Sequence, residues 1–139
     1  MNKILVVIAA LFVLLLAACG GATESQADPT AIVQKFYAAI KAEDVDTAMT
    51  YVAEDAQFIN PTGTYIGKDQ VRENLDALAL ANLAFDLRDL QEENGHVTYG
   101  YTTFIDGEAV EEGTDGYTIV RDGLIIFDGT ESSVPESFR

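Results

Sequence analysis

The 139-residue chain carries 23 acidic against 8 basic residues, a formal charge of −15, with one cysteine, one histidine and no tryptophan. One cysteine excludes an intrachain disulfide, and a single histidine beside it argues against a transition-metal site. The acidity argues against nucleic acid, because no basic patch is available to displace phosphate counterions, and it serves solubility instead.

Met1-Asn2-Lys3 is a small positive region, followed by an unbroken apolar run from Ile4 to Ala18. That run is shorter than the ~20 residues a spanning helix needs and has the charge and length of a secretory signal. It ends Leu16-Ala17-Ala18-Cys19-Gly20, which resembles the lipobox of bacterial lipoproteins. The resemblance implies removal of residues 1–18 and acylation of Cys19, leaving the protein lipid-anchored on the extracytoplasmic face of the cell membrane. The alternative is an uncleaved anchor helix. Each buried lipid CH₂ contributes about 0.8 kcal/mol, so several acyl chains hold the chain on a membrane without help from the domain. Residues 19–28 are the lipidated cysteine and a tether. Its polar stretch Gly20–Asp28 lacks apolar periodicity and spans roughly 15–18 Å.

Residues 29–139 suit one domain with one core. Asp28 is placed to cap a helix that Pro29 opens. Ile32, Val33, Phe36 and Ile40 fall on one face of it, and the pattern restarts at Val45, Ala48, Met49 and Val52. Ala56 to Ile59 is too short for a helix and reads as a strand that Asn60-Pro61-Thr62-Gly63 ends. A third helix follows Gly67-Lys68-Asp69, with Val71, Leu75 and Leu78 buried and Arg72 and Glu73 facing water. From Leu83 onward alternating runs are separated by Asn94-Gly95, Asp106-Gly107 and Asp122-Gly123, strong hairpin signals that predict an antiparallel meander. Leu124 to Phe127 reads as a strand buried on both sides.

The order Val33–Ile40, Glu43–Asp46, Ala53–Ala56, Asn60–Gly63 and Gly67–Asp69 resembles the opening of the nuclear transport factor 2-like superfamily, which includes SnoaL-like polyketide cyclases and ketosteroid isomerases. The later strands extend the likeness to about Gly129. The resemblance implies an α+β fold, a cone of three N-terminal helices packed on a curved antiparallel sheet, with a pocket at its open end. It puts Phe36 where ketosteroid isomerases have an oxyanion-stabilising tyrosine, and Asn60 where they have the aspartate base. A phenyl ring has no hydroxyl and an amide takes no proton near neutral pH, so that isomerase chemistry is not expected. Asp115 falls near the second oxyanion acid, and period-two alternation gives it a face with Tyr117 and Ile119. Pointing inward, it would have a raised pKa and could act as acid or base. The alternative is a solvated aspartate at the pocket mouth.

Tyr37, Tyr65, Tyr99, Tyr101 and Tyr117 supply aromatic surface for a pocket or, equally, for core packing with exposed hydroxyls. The pocket set expected is Phe36, Tyr37, Asn60, Tyr65, Tyr101, Asp115 and Tyr117. His96, beside a turn, is expected to be exposed. No cofactor or metal motif is present. The leading expectation is a domain that binds a small hydrophobic ligand or a protein partner without catalysis. The alternative is a cyclase, dehydratase or isomerase-like enzyme using Asp115. A third class is an interaction module, because the resembled fold often forms homodimers through the sheet face that would carry Thr98, Thr102 and Phe104.

Overall fold

The computed structural model describes residues 27–139. The signal segment, Cys19 and the tether as far as residue 26 lie outside the described residues. The helices are α1 (Pro29–Lys41), α2 (Val45–Met49) and α3 (Lys68–Leu80). The strands are β1 (Val52–Asn60), β2 (Gly63–Ile66), β3 (Leu83–Glu93), β4 (His96–Ile105), β5 (Glu108–Arg121) and β6 (Leu124–Thr130). Two short 3₁₀ turns, Glu131–Ser133 and Glu136–Phe138, end the chain. Among the described residues no helix is long and apolar enough to cross a membrane.

Local chemistry sets the boundaries. The Asp28 carboxylate accepts from the Thr30 N–H at 3.0 Å, and Pro29 opens α1 where no donor is needed. Asp44 caps α2 in the same way through Thr47. The three hairpin turns place Asn94, Asp106 and Asp122 and the glycines after them at positive φ, as two-residue turns matching the sheet twist require.

The six strands form one sheet in the order β2-β1-β6-β5-β4-β3. Strands β3 to β6 are the expected antiparallel meander, but β1 lies parallel to β6, so the sheet is mixed. Val52 opens β1 rather than closing α2, and β1 is nine residues long. Its last residues pair with both β2 and β6, which supplies the ladder hydrogen bonds that a four-residue apolar run does not reveal. Register breaks between β3 and β4, β4 and β5, and β5 and β6 bend the strands, and the bend wraps the sheet around the helices.

Ile32, Val33, Phe36 and Ile40 of α1 and Val71 and Leu75 of α3 are buried against the inner face. The outer face is covered at one end only. Ile119 pairs with Phe127 there, and the Phe138 ring packs on Phe127 with centroids 5.9 Å apart. The C-terminal turns therefore seal an apolar patch that would otherwise face water. Phe138→Ala should lower unfolding stability by about 1–2 kcal/mol in a denaturant titration, and an unchanged midpoint would show that this end is no part of the core.

Candidate functional site

Four elements converge on one carboxyl group. Tyr37 comes from the buried face of α1, Tyr99 from β4, Thr118 from β5 and Asp128 from β6. Thr118 and Asp128 are direct partners across the β5–β6 ladder, so their side chains share the inner face. Thr118 Oγ1 donates to Asp128 Oδ1 at 2.5 Å and Tyr99 Oη at 3.1 Å. Tyr37 Oη lies 3.0 Å from Oδ1 and 2.9 Å from Oδ2. The two phenol oxygens are 3.0 Å apart, and Tyr99 Oη is 3.0 Å from Thr118 Oγ1. Oδ1 is thus crowded with donors. Oδ2 has Tyr37 alone and retains acceptor capacity.

The strands make room for these rings by using glycine. An added Cβ at Gly116 would stand 2.3 Å from the Tyr99 ring, and one at Gly113 would stand 2.2 Å from the Tyr101 ring. Both tyrosines lie flat on β5, and neither could do so over a larger residue.

Asp128 opens onto a cavity of about 330 Å³ between α1, α3 and the inner face of the sheet. Phe36, Phe58, Leu75, Leu78, Phe85 and Leu87 are among its apolar walls, and its polar lining includes Asn60, Asn74, Tyr99, Tyr101 and Asp128 together with Glu111 and three threonines. The volume is at the small end of ligand pockets, and the lining has their usual character of apolar walls with a few placed polar groups. A second, shallow depression on the outer face, among Glu92, Glu93, His96, Tyr117 and Glu131, is open and acidic.

Burial dominates the electrostatics. It pushes the Asp128 carboxyl up to about 6, against the opposing pull of hydrogen bonds from Thr118, Tyr37 and Tyr99. No ion pair of the described residues reaches Asp128 to restore an ordinary value. Burial, and then the charge of Asp128, drive the Tyr37 and Tyr99 phenols well above 10, so both remain protonated donors.

Of the expected pocket residues, the structure brings together Phe36, Tyr37, Asn60 and Tyr101. Asp115 is a correction. It is exposed and does not line the cavity. Period two does align it with Tyr117 and Ile119, but those residues pair with Thr98 and Phe127 on the outer face. The pairing Tyr99 with Gly116 and Tyr101 with Gly113 also leaves one extra residue on β5, so Thr114 and Asp115 sit in a bulge and face solvent. Tyr117 is on the outer face too, its Oη 2.6 Å from His96 Nδ1, and that contact leaves His96 half-buried rather than exposed. Tyr65 packs against the core outside the cavity lining, its hydroxyl 2.8 Å from Thr62 Oγ1. Sequence reasoning missed Asp128, Thr118 and Asn74. The available signal for Asp128 was an acid continuing the apolar run Leu124 to Phe127 with no break in alternation.

A curved sheet backed by three helices thus encloses a mostly apolar cavity with a part-buried acid in its lining. The sequence profile of the SnoaL-like domain matches residues 33–127, and the chain belongs to that family. Among solved structures it resembles a nuclear transport factor 2-like protein of unknown function from Cytophaga hutchinsonii, at 18% identity and TM-score 0.64 over 76% of this chain and 90% of that one. It also resembles an LEH-like epoxide hydrolase of M. tuberculosis, at 20% identity and TM-score 0.60 over 72% and 78%. A third is an epoxide hydrolase/cyclase-like enzyme of pyran ring formation in the polyether salinomycin, at 15% identity and TM-score 0.61 over 72% and 86%. At these identities the likeness establishes the fold. No curated protein matches the chain at a significant level.

A carboxyl whose folded pKa is raised from 3.8 to about 6 favours folding most below about pH 4 and loses that advantage as pH rises through 6. Asp128→Asn removes this dependence. The stability of the variant relative to the parent should therefore rise by roughly 2–3 kcal/mol between pH 4 and pH 7. Denaturant titrations at both pH values measure it, and a difference that is flat with pH would mean an ordinary carboxylate.

Proposed function

We propose that the domain takes up a small, mostly apolar molecule carrying an oxygen function and performs acid–base chemistry on it through Asp128. The observation that carries this reading is the part-buried carboxyl of Asp128, held by three hydroxyls in the lining of a mostly apolar cavity and pushed up to about 6. At pH 7 roughly nine in ten such groups are ionised, and their basicity exceeds that of an exposed aspartate. Asp128 Oδ2 takes a proton from a carbon acid, a hydroxyl or a water held in the cavity, and returns it to the product oxygen or carbon. Tyr37, Tyr99 and Thr118 keep the carboxyl in place through both halves of the transfer. Opening an epoxide with water needs such a step, in keeping with the epoxide hydrolase names of two of the similar structures, and shifting an enolisable ketone needs one as well.

The steroid-isomerase arrangement does not support this chemistry here, because Phe36 and Asn60 stand at two of its positions. Those same residues favour a second reading, in which the cavity binds its ligand and leaves it unchanged. Two probes separate the readings. Acetophenone in deuterium oxide reports exchange at its methyl carbon, and styrene oxide reports hydrolysis to the diol. Turnover of either should rise with a midpoint near pH 6 and fall by about 10²–10⁴ in Asp128→Asn. Binding without turnover would establish the second reading, and turnover undiminished in Asp128→Asn would remove Asp128 from the mechanism.

We also propose that the domain works at the extracytoplasmic face of the cell membrane, held by lipid on Cys19. The support is the sequence Leu16-Ala17-Ala18-Cys19 behind a short apolar signal. Cys19→Ser should abolish labelling by an alkynyl fatty acid and leave the precursor at full length. Equal labelling of parent and variant would sink the assignment.

A further inference from the structure

The apolar stripe of α3 is interrupted by one polar residue. Val71, Asn74, Leu75 and Leu78 share the face turned to the core, and Asn74 is only 4% exposed. A leucine there would extend the stripe without any polar group to satisfy. What the amide does follows from its neighbours. The backbone N–H of Thr62 donates to Asn60 Oδ1 at 3.0 Å, and Thr62 Oγ1 lies 2.6 Å from the same oxygen. A backbone N–H can only donate, so Asn60 is fixed with its oxygen toward Thr62 and its Nδ2 away. That Nδ2 meets Asn74 at 3.1 Å, and Asn74 must therefore present its oxygen to it.

Asn74 Nδ2 consequently faces the other way, and no described residue accepts from it. No side-chain nitrogen or oxygen enclosed by protein lacks a partner among the described residues, so this donor is reached from open space, and Asn74 lines the cavity. The arrangement is a built relay. A tight turn orients one amide, that amide orients a second, and the second holds a free donor at the wall of a mostly apolar chamber.

The donor is set apart from Asp128. Phe58 is paired with Asp128 across the β1–β6 ladder, and Asn60 lies two residues further along the same face. One strand spacing and two residue rises separate the Asp128 and Asn60 backbones by roughly 8 Å. The cavity therefore holds a carboxyl at one point and an amide donor at another, with Phe36, Phe58 and Leu75 between and around them.

We propose that Asn74 is a ligand-binding residue that donates to a carbonyl-type oxygen. The ligand class is then a compact ring or short chain bearing a hydroxyl at the Asp128 end and a carbonyl at the Asn74 end. The inference rests on the cavity being the ligand site and deepens that reading.

Four probes of one shape test it: para-hydroxyacetophenone with both groups, para-ethylphenol with the hydroxyl, acetophenone with the carbonyl, and ethylbenzene with neither. Dissociation constants are measured by NMR titration on the full-length chain and its variants. In the parent, the carbonyl should tighten binding about five- to ten-fold, comparing para-hydroxyacetophenone with para-ethylphenol. In Asn74→Leu that ratio should fall to near one while the hydroxyl increment survives. Asn74→Asp keeps an acceptor for Asn60 at nearly the same shape, and it should lose the carbonyl increment in the same way, which covers a leucine variant that fails to fold. A carbonyl increment missing in the parent, or kept in the folded variants, overturns the role of Asn74. A normal carbonyl increment with no hydroxyl increment, or with one that Asp128→Asn leaves intact, leaves Asn74 standing and removes Asp128 from the site. Failure of every probe to bind the parent overturns both.

Discussion

The Asp128 cluster ties a helix to three strands through one charge. Tyr37 reaches it from α1, Thr118 from the adjacent strand β5, Tyr99 from β4 beyond it, and Asp128 itself stands on β6, the strand of the meander that pairs with β1. Hydrogen bonds to an ionised group contribute about 1.5–3 kcal/mol each, so three of them offset much of the cost of taking a carboxylate out of water. The balance is incomplete, as the upward displacement of the carboxyl shows. Removing one hydroxyl would therefore cost more than one ordinary hydrogen bond, because the charge would remain with fewer donors. The same bonds fix where α1 crosses the sheet, and that crossing sets the depth of the cavity.

The cavity stays open because its walls are held apart from behind. The register breaks bend β3, β4 and β5 around the helices, and rings lie flat on the sheet where glycine allows it. Tyr37 meets Phe36, Phe85 and Tyr99 edge to face at 5.1, 5.4 and 5.8 Å between centroids, so the floor is a rigid aromatic layer. Hydroxyls at the edge of that layer converge on Asp128 without opening it to bulk water. A floor of leucines would pack as well and would leave the carboxylate with no donors.

Much of the frame was legible in the sequence. Helical spacing located α1 and α3 and their buried faces, and turn dipeptides located three hairpins, because those signals are local. What was not legible depends on residues far apart in the chain. The parallel pairing of β1 with β6 joins Phe58 to Asp128 across about half the domain, and no local pattern reports it. Ile119 reads as an inward residue because it is apolar, yet it stands on the outer face beside Phe127, on which the Phe138 ring packs. That placement inverted the face assigned to Asp115. Asp128-Gly129 has the composition of a turn, like the three true turns. Its glycine serves a different need, since a Cβ there would stand 2.8 Å from the Ile59 carbonyl and the Ser133 hydroxyl. The glycine that lets β1 and the C-terminal turn close on β6 makes the acid before it read as a loop residue.

Two polar side chains occupy places where apolar ones would stabilise the domain more. At neutral pH an ionised Asp128 costs stability relative to a neutral group of the same shape, and Asn74 interrupts an apolar stripe with a donor that no described residue accepts from. A chain optimised only for its fold would carry neither, since local rules are otherwise followed closely in the caps, the turns and the helix faces. The two departures are not scattered. Both line the same cavity, one as an acceptor pushed up to about 6 and one as an oriented donor. Stability is given up at the two points where a ligand would be held. That coincidence is the support for the recognition and chemistry proposed for the cavity.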